Sequence, residues 1–145
     1  MRDVIQKWYD WLKQATSFER EESTHVYSDG RQLWATDGYR LHARQVATEK
    51  QGEVTLNEEG LFQVNENGSL PDFTASLPQS QPTASVVVER DKLLQGLAGQ
   101  DKHVRLAFFA EDQAVELSSA GVYALVMPLT GLNEEDFWRP ESSEQ

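Results

Sequence analysis

Two Asp-Gly dipeptides, Asp29-Gly30 and Asp37-Gly38, stand eight residues apart in this chain, each between runs rich in β-formers. Asp-Gly in that setting is a strong hairpin signal, because a type I′ turn needs φ > 0 at both central residues. Two such turns so close together leave room only for short strands. The spacing predicts strands over His25 to Ser28, Gln32 to Thr36 and Tyr39 to Val46, folded as an antiparallel meander.

The flanks extend this pattern. Residues 2–15 place Val4, Ile5, Trp8, Trp11 and Leu12 on one broad face at helical spacing, which predicts a helix. A polar loop is expected at 17–23. Val54 to Leu56 and Leu61 to Asn65 read as further strands. The stretch GSLPDFTASLPQSQP holds three of the chain's five prolines and reads as a connector with little ladder pairing. Beyond it SVVVE (85–89) reads as a strand. RDKLLQGLAG reads as a helix that buries Leu93, Leu94 and Leu97 and stops near Gly99. VRLAFF, AVEL and VYALVMPL read as three more strands. The halves thus repeat a pattern though not a sequence, and the expected fold is α+β: two βαβββ-like units, about 1–50 and 84–130, with two helices on one face of antiparallel sheets. Residues 51–83 would connect them within a single domain spanning 1–130, and 131–145 would form an acidic, flexible tail.

Charge narrows the function. The chain carries 24 acidic and 13 basic side chains among 145 residues, a net charge of −11, and no cysteine. Thiolate metal sites and disulfide scaffolds are excluded. No run is apolar enough to span a bilayer, and the N-terminus mixes charge into its apolar positions, so a cytoplasmic protein is expected. Such acidity repels nucleic acid unless the cations are gathered on one surface. They are unevenly spread: residues 1–20 carry a net +1 and 90–105 a net +2, whereas 21–89 and 106–145 carry −7 each. Arg2, Lys7 and Lys13 on the first helix, with Arg90, Lys92 and Lys102 around the second, are the candidate DNA-facing cations. They serve equally well as ordinary solvated helix residues. There is no phosphate loop, GxGxxG or HExxH, and His25, His42 and His103 fall on separate elements. No catalytic constellation, metal site or cofactor is expected.

Three stretches together, ATDGYRL (35–41), LPDFTASLP (70–78) and YALVMPL (123–129), resemble the bacterial DNA sliding clamp, the beta subunit of DNA polymerase III. SVVVERDKLLQGLAGQDKHVRLAFF is similar to that family's strand, helix and strand. The resemblance implies a DNA clamp-like domain and a non-enzymatic role in replication or repair. It implies a shallow apolar pocket for short peptide motifs of partner proteins, formed by Thr36, Gly38, Tyr39, Arg40, Leu41, Pro71, Leu125, Met127, Pro128 and Leu129. Duplex DNA, bound without sequence preference, is a further implied partner. A bacterial clamp subunit has three such domains and this chain holds one, so a head-to-tail homo-oligomer, with six copies matching the family's ring, is an expectation. A stand-alone peptide-binding module that leaves DNA alone, or a modulator of a full clamp, is the other reading.

Overall fold

The computed structural model describes residues 2–17, 24–66, 70–73, 77–110 and 113–140. Most of the predicted loop at 17–23 and the middle of LPDFTASLP lie outside those residues. The chain forms two compact units, Met1–Pro78 together with Trp138–Gln145, and Gln79–Phe137. Both are α+β.

In the first unit helix α1 (Arg2–Lys13) precedes five strands, β1 (Val26–Asp29), β2 (Gln32–Thr36), β3 (Leu41–Gln45), β4 (Gln51–Leu56) and β5 (Phe62–Asn65). They make one antiparallel sheet in the order β3-β2-β1-β4-β5. The first three are the expected meander. The fourth returns to lie beside the first, which is Greek-key order. Its connection is short because residues 46–50 run across the β1–β2 turn, where the Glu49 amide donates to the Gly30 carbonyl at 2.9 Å. Glu49 takes φ 61 there, the single positive φ outside glycine among the described residues. So β4 and β5, which fall inside the expected connector, complete the first sheet.

Period-2 alternation gives this sheet two apolar faces. Val26, Leu33, Ala35 and Val54 point to one and pack on Leu12 and Ala15 at the end of α1. Tyr27 and Trp34 point to the other, where Phe73 of the LPDF stretch covers them. The Trp34 ring stacks on Tyr27 at 4.9 Å and on Phe73 at 4.6 Å between centroids. LPDF is therefore a strap that closes a core, although it joins no ladder. The first helix ends two residues earlier than its periodicity predicts. Its last turn tightens to Ala15 N–H on Leu12 O and Thr16 N–H on Lys13 O, and the Thr16 hydroxyl also donates to Lys13 O at 2.7 Å.

In the second unit helix α2 (Arg90–Ala98) precedes β6 (Arg105–Ala107), β7 (Val115–Ser119) and β8 (Val122–Val126), an antiparallel sheet in that order. Val115, Leu117 and Val126 form its core with Val86, Val88, Leu93, Leu97 and Ala124. Two expectations change. SVVVE forms no ladder: Val86 and Val88 reach the core, and the Val87 carbonyl accepts one bond from Leu129 N–H at 2.7 Å. Leu94 is 55% exposed rather than buried. Gly96 is what brings the helix down on the sheet, since a Cβ there would stand 2.8 Å from Leu117 Cδ1. The inward stripe is thus 93, 96 and 97, and Leu94 lies about 100° around from Leu93. The described units are a helix with five strands and a helix with three, where two βαβββ units were expected. The tail holds a short 3-10 turn at Glu134–Asp136.

Candidate functional site

The β2–β3 hairpin is not the type I′ turn expected of it. Thr36 pairs with Leu41, so the two loop-tip residues are Gly38 and Tyr39, with Asp37 and Arg40 flanking them. Gly38 has φ 89 and Asp37 does not enter the positive region. Side chains set this choice. Asp37 Oδ1 accepts the amides of Tyr39 and Arg40 at 2.9 and 3.0 Å, Asp37 Oδ2 accepts Arg40 Nε at 3.2 Å, and the Gly38 amide donates to Thr36 Oγ1 at 3.1 Å. The Tyr39 amide first, with the Arg40 amide and guanidinium, holds the Asp37 carboxyl below its ordinary pKa.

The β1–β2 turn repeats the module. Ser28-Asp29-Gly30-Arg31-Gln32 matches Thr36-Asp37-Gly38-Tyr39-Arg40 in registration and in bonding. Asp29 accepts the Arg31 and Gln32 amides and the Gln32 side chain, and the Gly30 amide donates to Ser28 Oγ. The second copy differs in what it displays: Tyr39 is 94% exposed on this braced tip.

Beyond the tip, alternate β3 residues dock α1. Arg40 donates to the Gln14 carbonyl. His42 stacks on Trp11 with centroids 4.2 Å apart, and its Nδ1 lies 2.7 Å from the Trp11 carbonyl, which can only accept, so Nδ1 carries the proton there. Arg44 sits 3.5 Å over the Trp8 ring. Leu41 and Ala43 face the opposite way, into the Tyr27–Trp34–Phe73 cluster. YRLHAR is thus a two-faced strand, and Arg40 braces both the turn and the helix end. Pro71 is half-buried in the strap.

Leu125, Met127, Pro128 and Leu129 belong to the second unit. Along β8, Ala124 and Val126 turn toward α2, while Tyr123, Leu125 and Met127 are exposed at 61%, 50% and 63%. One face of this small sheet is packed and the other is bare. Sequence reasoning missed two residues of the bare face, Tyr123 and Glu116. The signal for Tyr123 was present: VYALVM is apolar at both parities, as a strand with two apolar faces must be. The Tyr123 phenol is raised above its ordinary pKa by desolvation and by the neighbouring Glu116 carboxylate.

The candidate DNA-facing cations are partly engaged. Lys13 Nζ donates to the Thr24 carbonyl at 3.0 Å. Arg2 lies against Gly60, where a Cβ would come within 2.7 Å of its Cγ. Arg90 pairs with Asp91 at 3.1 Å and Lys92 with Glu89 at 3.5 Å. Lys7 and Lys102 are exposed. Elsewhere a shallow groove of about 470 Å³ runs beside β5, lined by Val46, Thr48, Lys50, Phe62 and Val64 among others, with Lys50 as its one ionisable group. Among the described residues no three His, Asp or Glu side chains gather to hold a metal ion, and no helix is long and apolar enough to cross a membrane. Comparison with known proteins gives no matching family model, curated protein or solved structure.

Proposed function

We propose that this chain is a non-catalytic, sliding-clamp-like accessory of DNA replication or repair, acting in the cytoplasm by holding short peptide segments of partner proteins. The observation that carries the proposal is the bare sheet face of the second unit, where Tyr123, Leu125 and Met127 stand exposed side by side while the opposite face is packed on α2. Exposed apolar side chains on a rigid strand suit anchors of one or two large residues. The ATDGYRL, LPDF and VMPL resemblances supply the family reading. In the first unit Tyr39, an aromatic on a braced turn, is an exposed anchor in its own right, of low entropic cost.

Within this proposal, a peptide holder that leaves DNA alone is favoured over a DNA-binding clamp. Lys13, Arg90 and Lys92 already have partners, and the net charge is −11. Retention on closed circular DNA at low salt separates the two, since phosphate contacts fade steeply as salt rises. Peptide capture is tested by fluorescence anisotropy with a labelled clamp-binding-type peptide. Met127→Ala should weaken it by about tenfold or more. Undiminished capture by that variant defeats the proposal.

A further inference from the structure

The bare face of the second unit is apolar at its margin and charged at its centre. Across the strands, Ala107, Glu116 and Leu125 form one row, and Arg105, Ser118 and Tyr123 the next. Met127 continues the alternation of Tyr123 and Leu125 one step past β8. Glu116 stands on the middle strand, half-buried, with Ala107 and Leu125 on either side and Tyr123 diagonal to it. Arg105 lies on the edge strand and is exposed. The carboxylate is therefore central and the cation peripheral.

The face is small. Three strands and the six residues from Val122 to Met127 cover roughly 14 Å by 17 Å at standard spacings. That is well below the ~800 Å² per partner of a standard protein interface. A second copy or a folded partner would need far more surface, whereas an extended segment of a few residues is the right size. Charge then selects the segment. A carboxylate offers several acceptor sites. A cationic side chain laid over Glu116 gains a charge-assisted hydrogen bond as water leaves, and an anionic one meets like charge in the same desolvated spot. Charge at the rim, as at Arg105, matters much less.

We propose that this face takes a short extended peptide whose apolar side chains lie on Leu125 and Met127 and whose Lys or Arg lies over Glu116. The inference rests on the peptide-holding function proposed above and specifies the partner's chemistry.

The test uses the full chain and two fluorescein-labelled hexapeptides with a Leu-Ser-X-Ser-Phe core, which puts Leu, X and Phe on one face of an extended segment, identical except that X is Lys in one and Glu in the other. The Lys probe should bind about tenfold more tightly at low salt. The preference should shrink as salt is added, a measurement that needs no variant. Glu116→Gln should erase it, and Met127→Ala should weaken both probes. Equal binding of the probes, or a preference that persists in Glu116→Gln, overturns the charge assignment. If Met127→Ala still weakens binding, the peptide-holding function stands without that assignment. Binding indifferent to Met127→Ala, or no binding of either probe at millimolar concentration, overturns both.

Discussion

Replacing Phe73 by alanine should cost the first unit about 3 kcal/mol. Phe73 is 5% exposed and its ring lies on Trp34, which is itself 1% exposed and stacked on Tyr27. Truncating a buried Phe removes its transfer energy and leaves a cavity, together about 3–5 kcal/mol. A smaller effect opposes this. Trp34 Nε1 is buried without a partner among the described residues. Such an orphan donor costs about 1–3 kcal/mol, and a loosened strap that admits water would return part of it. The ring term wins, and the net falls at the lower end of its range. The assay is urea unfolding followed by tryptophan emission. Trp8, Trp11, Trp34 and Trp138 all belong to the first unit, so the signal reports that unit by itself. With m near 1 kcal/mol/M for so small a unit, the midpoint should fall by about 2–3 M. Phe73→Leu keeps most of the volume and should cost only about 1 kcal/mol, which guards against a variant that does not fold. A Phe73→Ala midpoint within about 0.5 M of the parent would refute the reasoning, and LPDF would be a tether and not part of the core.

Two other predictions concern the same unit. Gly52 has φ +149, and a Cβ there would fall 1.9 Å from the Asn65 carbonyl oxygen, a backbone atom of the neighbouring strand. Gly52→Ala should therefore split β4 from β5 and cost more than about 3 kcal/mol; native-like tryptophan emission and an unchanged urea midpoint would contradict this. Asp37, whose pKa is lowered by the Tyr39 and Arg40 amides, contributes stability that is fully present above the ordinary carboxyl value and is lost as pH falls through its depressed folded value. The Tyr39 and Arg40 amide resonances should accordingly titrate below about pH 4 and cease to do so in Asp37→Asn. Titration at or above that value would show that the turn does not hold the carboxylate.

The elements were legible where periodicity was strong. The two Asp-Gly signals located the meander, and Gln32 to Thr36 matches β2 residue for residue. The wrong turn type has a local cause: the hydroxyl and carboxylate side chains of Thr36 and Asp37 bond to the turn amides, and propensity rules for central residues do not contain those bonds. The strap reads correctly as a connector without a ladder, because proline rules exclude one, but those rules say nothing of whether Phe73 finds an aromatic stack to cover. Leu94 was misplaced because leucines were counted as the buried face, whereas the close approach belongs to a glycine, whose packing role is invisible until Leu117 stands beneath it. Of the candidate site, Leu125 and Met127 were named through the YALVMPL resemblance, and their strand is apolar at both parities. Glu116 was not, because a charge inside an alternating strand reads as solvent-facing until its cross-strand neighbours, Ala107 and Leu125, are known.

The twin turns also bear on how the chain ages. Among aspartyl dipeptides Asp-Gly is the most prone to rearrange to isoaspartate, through attack of the glycine nitrogen on the aspartate carboxyl carbon. In both modules that nitrogen is already committed to a hydroxyl, Ser28 Oγ for Gly30 and Thr36 Oγ1 for Gly38, each at 3.1 Å. Both carboxylates are held forward by the amides two and three residues on. The bonds that shape the two hairpins thus keep nucleophile and electrophile apart. A chemically fragile pair of residues lasts here for as long as the sheet around it stays folded.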